Sequence, residues 1–238
     1  LKWLAQVLHV CCLDIMQFSD VIAVIDEHFE YTPKRFSNGG TESAAGTNVG
    51  SCKVFSLGTT IKLDQTSTLE CFAEHYKSVL EDPDGTSHGN IRAFMKQGWD
   101  GIEFPDGIGL EIKHPEYLPV LTAFFSLPKE RTFSDVLALI EKYFDYVPKS
   151  FSNGGVQSSE GTNAGSCKVF SMGKLLKLPK GLILTCFSEH YNQVLGDPDG
   201  TSHSNIRAFM KQGWDGVEFP DGLALSLREQ SAKRQKTD

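Results

Sequence analysis

The sequence predicts an α+β protein of two similar modules, each with about four helices packed on a small antiparallel sheet that ends in a C-terminal hairpin. Residues 18–110 recur at 133–225 without a gap, and roughly two thirds of the paired positions are identical. Within each copy, the hydrophobic pattern changes from helical periodicity to strand-like alternation. The predicted domains are an N-terminal segment at 1–17, modules at 18–112 and 133–227, a linker at 113–132 and a polar tail at 228–238.

Each module is expected to begin with an amphipathic helix and a short strand. The helix is predicted at about residues 19–29, because Ser19 is a natural N-cap and apolar residues recur on one face. The aromatic rings and the proline of 31–37 favour a short extended or edge strand. Asn38-Gly39-Gly40 then breaks the chain.

Two further helices are predicted in the middle of the module. The first covers 51–62, although 52–57 also fits a strand. The second covers 67–80, and its first and fourth residues have the spacing of a capping box. The two copies differ at 64–68 and 179–183, where we expect an exposed loop.

A fourth helix is predicted after the turn residues 82–87, with Ser87 as its cap and Gly98 at its end. Alternating apolar residues on both sides of Pro105-Asp106-Gly107 predict the hairpin. The linker is rich in proline but also apolar, so we expect it to pack on a module.

Net charge and hydropathy restrict which binding partners and which cellular compartment are expected. The net charge is −7, which argues against nucleic-acid binding, since the short basic run at 233–236 is typical of a solvated tail. The apolar stretch at 1–12 is too short for a membrane span and also fits the remnant of a targeting sequence. We expect a cytoplasmic protein, with a targeted one as the alternative.

Four of the six cysteines are two positions that recur, Cys52 with Cys167 and Cys71 with Cys186. A Cys52–Cys71 disulfide fits the sequence, but reduced buried thiols are expected because nothing else indicates secretion. No motif indicates a cofactor, since the glycine-rich stretch at 38–50 lacks the lysine of a nucleotide-binding loop.

Two motifs carry a resemblance to a known family. Phe36-Ser37-Asn38-Gly39 with 46–55 and 83–95 with Gly98-Trp99 resemble the HopJ type III effector family, and the second copy repeats both motifs. The likeness covers nearly the whole of both modules. It implies a named family without an established reaction or catalytic residues. The tandem differs from the usual single-module form, so the resemblance does not imply a simple effector role.

The most specific chemical hypothesis is a Cys–His pair. Cys52 is predicted in the first turn of a helix, where unpaired backbone amides lower a thiol pKa and favour the nucleophilic thiolate. His88 precedes the fourth helix, with Asn90 as an orienting amide. The second copy has the corresponding residues Cys167, His203 and Asn205. The alternative is a core thiol and a histidine bound to a turn carbonyl, and we favour this alternative.

Metal sites are not predicted. Cys71 and His75 share a helix face and could bind zinc together with Cys52 and His88, but close Cys-x-x-Cys or His-Glu-x-x-His spacing is absent. The acidic turn at 82–85 lacks the other carboxylates of a calcium loop.

A set of polar and aromatic residues is the candidate for ligand binding. Arg92 could hold a carboxylate or phosphate of a ligand, or it could bind Asp84 or Glu103 and join the hairpin to the helix. We favour the structural role. The full set is Asn38, Asn48, Arg92 and Trp99 in the first module and Asn153, Asn163, Arg207 and Trp214 in the second.

These observations leave three functional hypotheses. The favoured one is a non-enzymatic module that presents two similar surfaces to a protein partner, because two linked copies raise the effective concentration for a repetitive target. The second is a small thiol-dependent enzyme. The third is a pseudo-dimer of the modules that binds a small ligand in the cleft between them.

Overall fold

The computed structural model describes residues 15–228, so the predictions for 1–14 and 229–238 lie outside the described residues. The chain contacts divide into two compact units, one of Met16–Pro128 and one that begins at Lys129. Each unit combines short helices with small antiparallel sheets, so the predicted α+β fold class is confirmed. None of the helices in this part of the chain has the length and hydropathy needed to cross a bilayer.

The first unit contains α1 (Phe18–His28), β1 (Phe29–Tyr31), β2 (Phe36–Asn38), β3 (Thr41–Ser43), α2 (Val49–Ile61), α3 (Gln65–Glu70), α4 (Glu74–Glu81), α5 (Gly89–Gln97), a 3-10 helix (Gly98–Gly101), β4 (Ile102–Glu103), β5 (Leu110–Ile112), a 3-10 helix (Pro115–Tyr117) and α6 (Leu118–Phe125). The second unit contains α7 (Phe133–Tyr143), β6 (Phe144–Tyr146), β7 (Phe151–Asn153), β8 (Val156–Ser158), α8 (Ala164–Leu175), α9 (Lys180–Thr185), α10 (Ser188–Gly196), α11 (Ser204–Gln212), a 3-10 helix (Gly213–Gly216), β9 (Val217–Glu218) and β10 (Leu225–Leu227).

The predicted C-terminal hairpin is wrong. In the first unit β4 pairs with β2 in the sheet β3-β2-β4, whereas β5 pairs with β1 in a separate two-stranded sheet. The turn between β4 and β5 therefore connects two sheets. Gly109 directs the chain there, because its carbonyl accepts from Thr32 N at 2.9 Å and its amide donates to Ser56 Oγ at 3.2 Å. Alternating apolar residues identify strands but not their partners.

The second predicted helix is confirmed as α2, and the strand alternative at 52–57 is wrong. Phe55 of this helix is 0% exposed, and its ring centroid lies 5.9, 5.5 and 5.0 Å from those of Phe36, Phe72 and Phe94. Phe170 has the same contacts in the second unit. Burying one such ring contributes about 2–3 kcal/mol, so α2 and α8 form the centres of the two cores.

The prediction of one continuous third helix is wrong. The stretch divides into α3 and α4 because Ala73 adopts a left-handed φ of 46° and redirects the chain. Helix α3 also starts earlier than predicted, since Asp64 accepts from Ser67 N and is the N-cap. The expected loop at 64–68 and 179–183 is wrong too, because both stretches enter helices that bury Thr68 and Ile183.

The other predicted caps are also displaced. Gln17, not Ser19, is the N-cap of α1, and Thr132 caps α7. His88 instead of Ser87 precedes α5, in a left-handed conformation, whereas Gly98 ends this helix as predicted. The apolar part of the linker forms α6, which buries Val120 and Leu121 within the first unit, so the expected packing of this segment is confirmed.

Candidate functional site

The recurring thiols lie inside the modules. Cys52 is in the first part of α2, as predicted, but its side chain is 0% exposed and Sγ donates to Lys34 O at 3.8 Å. Cys167 is 1% exposed and donates to Lys149 O at 3.7 Å. Burial raises the pKa of the Cys167 thiol. All four cysteines in the described residues are free and buried, which confirms the expected reduced thiols.

The ring next to each thiol belongs to a tyrosine. Burial and the adjacent Cys167 raise the pKa of Tyr146 to about 12. Burial and the adjacent Cys52 likewise raise the pKa of Tyr31. Lys168 Nζ lies 5.0 Å from the centroid of the Tyr146 ring and forms an ion pair with Glu141 at 2.9 Å. Each module therefore holds a buried thiol beside a tyrosine whose pKa is raised by burial.

The predicted histidines pair with a second histidine in each module. The ring centroids of His88 and His75 lie 4.9 Å apart, and those of His203 and His190 lie 5.0 Å apart. Burial, and to a smaller extent the second histidine and a nearby arginine, lower the pKa of His88 and of His203. Among the described residues, no hydrogen bond joins a histidine of these pairs to the thiol of its module.

Asn90 and Asn205 bind another predicted asparagine. Asn38 Nδ2 donates to Asn90 O at 2.7 Å and to Asn90 Oδ1 at 3.2 Å. Asn153 Nδ2 donates to the same two atoms of Asn205 at 2.6 and 3.3 Å. The Oδ1 atoms of Asn38 and Asn153 are buried without a partner. The structure thus brings these asparagines together in pairs beside the helix that follows His88 or His203.

The remaining predicted asparagines hold the start of a central helix. Asn48 precedes α2 with a left-handed φ of 48°, and its Nδ2 donates to Ser43 Oγ at 3.0 Å. Asn163 precedes α8 with φ 51° and donates to Ser158 Oγ at 2.9 Å. These residues fix where the central helix begins and which way its first amides face.

Arg92 binds the loop in front of its own helix. Its guanidinium donates to three carbonyls within 82–87 at 2.6–2.9 Å. Arg207 repeats all three contacts in the second module at 2.7–3.0 Å. These contacts support the predicted structural role of Arg92, but its predicted partners, Asp84 and Glu103, are wrong. The guanidinium sets the position of the residue before the helix, which is His88 or His203.

Trp99 also makes structural contacts. Its Nε1 donates to Leu63 O at 2.8 Å, and its ring lies against Phe94 at 5.1 Å between centroids. Trp214 repeats the hydrogen bond with Leu178 O at 2.8 Å. The indoles close the core beside the central helix.

A cavity of about 320 Å³ in the second module collects several of these residues. Its walls come from the starts of α7, α8 and α11 and from α10. The lining residues are Phe133, Asn163, Gly165, Ser166, Phe187, His190, His203, Ser204, Asn205 and Ile206. Sequence reasoning identified the asparagines and His203 but missed the rest. For the missed lining residues, the sequence offered one indication, a small polar residue at the start of each of two helices.

A groove of about 450 Å³ in the first module lies between α4 and α5. Its lining residues are Val79, Leu80, Pro83, Asp84, Gly85, Arg92, Met95 and Lys96. Leu80 is 47% exposed, which is high for a large apolar side chain. All eight residues recur in the second copy at the corresponding positions, 115 residues further along.

The described residues contain no group of three or more His, Cys, Asp and Glu side chains that could hold a metal ion. Cys71, one of the residues weighed for zinc, is fully buried, and burial raises the pKa of its thiol to about 12. A thiol with that pKa is protonated at neutral pH and is a poor ligand.

A comparison with protein families agrees with the duplicated architecture. A profile of the family described as HopJ type III effector protein matches residues 7–107 and 119–225. A crystal structure of an "unknown function protein VPA0580" is 36% identical, and the match covers 51% of this chain and 99% of that protein with a TM-score of 0.43. No curated protein matches. Because both modules match the family profile, the chain belongs to the HopJ type III effector protein family.

Proposed function

We propose that the protein is a non-enzymatic interaction module that presents the same groove twice to a protein partner. The observation that carries the proposal is the groove between α4 and α5, whose eight lining residues all recur in the second copy. A partner with two suitable segments would gain avidity from the linkage of the modules, without any new contact.

The lining of the groove suits a partner segment in which an apolar side chain is flanked by acidic residues. Its floor is made by Val79, Leu80 and Met95. The guanidinium of Arg92 is occupied by loop carbonyls, so it supports the wall of the groove. Lys96 is exposed at the rim and can attract a carboxylate on the partner, whereas Asp84 lines the loop side of the groove, so we expect the acidic residue of the partner beside Lys96.

The state of the thiols supports a binding role over a thiol-dependent enzyme. A nucleophilic cysteine needs access to its substrate and a depressed pKa. Cys52 and Cys167 are almost completely buried and donate to backbone carbonyls, and burial raises the pKa of Cys167. The rings of His88 and His203 lie against those of His75 and His190 instead.

The binding proposal can be tested by selecting displayed peptides on the full chain. We expect enrichment of peptides with an apolar residue flanked by Asp or Glu. The double variant Lys96→Glu/Lys211→Glu should weaken binding of a selected peptide at least tenfold, because like charges then meet at both rims. Lys142→Glu, at an exposed position of α7 outside the groove lining, makes the same charge change once and should bind normally. Enriched peptides that are insensitive to the double variant, or no enrichment, would refute the proposal.

The enzyme alternative is tested by titrating thiol reactivity against pH, with single Cys52→Ser and Cys167→Ser variants to assign the signal. We expect Cys52 and Cys167 of the folded chain to be inert at neutral pH and to react only after denaturation. Rapid reaction at neutral pH, with a midpoint well below about 8, would favour the enzyme instead.

A further inference from the structure

The cavity of the second module lies where two helices begin. Helix α8 starts at Ala164 and helix α11 starts at Ser204, and the first turns of both contribute lining residues. Within the described chain, the backbone amides of Gly165, Ser166, Ser204 and Asn205 donate to no acceptor. Two sets of free N–H groups, each at the positive end of a helix dipole, therefore lie around one cavity.

Asn205 gives a second, independent indication of a ligand. It lines the cavity, and its side chain is only 4% exposed. Its Oδ1 accepts from Asn153 Nδ2, which leaves Asn205 Nδ2 as a donor without a partner in the described part of the protein. His190 Nδ1 is a buried ring nitrogen without a partner among the described residues, and His190 lines the same cavity. Buried polar atoms without partners are costly, so a ligand that pairs with them is favoured.

Basic side chains also lie around the cavity. Arg207 lies in the first turns of α11, and His203 and His190 line the wall. Burial lowers the pKa of His203, so at neutral pH its ring acts as a neutral hydrogen-bonding group and the guanidinium of Arg207 carries the positive charge. The nearby carboxylate of Glu189 accepts from Phe133 N at 2.7 Å, so it is already occupied. The rings of Phe133 and Phe187 stack at 6.0 Å between centroids and provide an apolar wall beside the polar end.

We propose that this cavity binds the phosphate or carboxylate group of a small organic molecule, with the apolar part of the molecule against Phe133 and Phe187. The anionic oxygens accept from the free amides of the two helix starts and from Asn205 Nδ2. This inference goes beyond the protein partner proposed above and does not depend on the groove.

The first module has nearly the same set of residues. Nine of the ten lining positions are identical, and the exception is Gly89 in place of Ser204. The second module thus has one additional hydroxyl donor. Ser204→Gly converts one module to the other at this position and removes the CH2OH side chain that carries that hydroxyl.

The test is an amide NMR titration of the full chain with phenyl phosphate, phenylacetate and the neutral benzyl alcohol. We expect saturable shifts at Gly165, Ser204 and Asn205 with at least one of the two anions, with Kd of about 1 mM or tighter. Benzyl alcohol should produce no saturable shift at these amides. The stronger of the two anions identifies whether the group is a phosphate or a carboxylate.

Asn205→Asp is the decisive variant. Its carboxylate can still accept from Asn153, and the dispersion of the amide spectrum checks that the variant is folded; it replaces a donor with a negative charge and should weaken binding of the anion at least about tenfold. Gln157→Glu adds the same charge on exposed β8 and should bind normally. Ser204→Gly should weaken binding by about threefold. No saturable binding by either anion, or equal affinities for the wild type and Asn205→Asp, would overturn the proposal.

Discussion

Gly58 allows the central helix α2 to pack directly against an indole. A Cβ at this position would lie 2.6 and 2.7 Å from two atoms of the Trp99 ring and 3.0 Å from Thr68 Oγ1. Carbon atoms in contact are normally about 3.5–4.0 Å apart, so the ring would have to move by roughly 1 Å. The hydrogen bond of Trp99 Nε1 to Leu63 O and the contact with Phe94 oppose that movement.

Two opposing contributions set the effect of Gly58→Ala on the free energy of unfolding. Replacing glycine by alanine inside a helix stabilises by about 1 kcal/mol. Overpacking a core usually costs about 1–3 kcal/mol, and the fixed indole places this site toward the upper end. We therefore expect a net destabilisation of about 1–2 kcal/mol, which lowers the midpoint of the affected module by several degrees.

Thermal unfolding of the full chain, followed by tryptophan fluorescence and circular dichroism, measures the effect. Gly89→Ala is the matched control, because it lies in the first turn of α5 and a Cβ there meets no atom within 4 Å. It should be neutral or stabilising. Gly173→Ala, which meets Trp214 in the second module, should behave like Gly58→Ala. An unchanged midpoint for Gly58→Ala would refute the packing argument.

Two further predictions concern ionisable groups. The pKa of Asp106 is held below its usual value by Arg35 at 2.7 Å, so Arg35→Ser, which copies Ser150 of the second module, should raise the Asp106 pKa in a carbon-detected NMR titration. The pKa of His203 is lowered in the folded state, so below about pH 6.5 the folded protein binds fewer protons than the unfolded protein. The free energy of unfolding should therefore fall as the pH falls through about 6.5. Denaturant midpoints for His203→Asn should fall less over that range than those of the wild type.

The sequence predicted the features that depend on local composition or on the duplication. The α+β class, the position of α2 and the buried thiols all follow from apolar residues and from a repeat that recurs at a constant offset. Strand pairing was not predictable, because the alternation on both sides of Pro105-Asp106-Gly107 fits a hairpin as well as two separate sheets. The break at Ala73 has no local signal either, since alanine normally favours a continuous helix.

The types of residue around the candidate site could be predicted from the sequence, but their contact partners within the fold could not. Several of the predicted asparagine and histidine residues line the cavity of the second module, yet contacts across the fold decide what each one does. Arg92 reaches three carbonyls of a neighbouring loop, and His88 meets a histidine from another helix. Pairings of this kind join residues that are distant in the sequence, so spacing alone could not reveal them.

Left-handed residues connect the fold to the cavity. Asn163 and His203 precede α8 and α11 with φ of 51° and 55°, and their counterparts in the first module have nearly the same angles. A left-handed conformation costs roughly 1 kcal/mol for a residue such as histidine, and glycine would adopt it without that cost. A histidine at this position is therefore unfavourable for the backbone. Its side chain lines the cavity, so ligand binding there would explain why histidine and not glycine occupies this position.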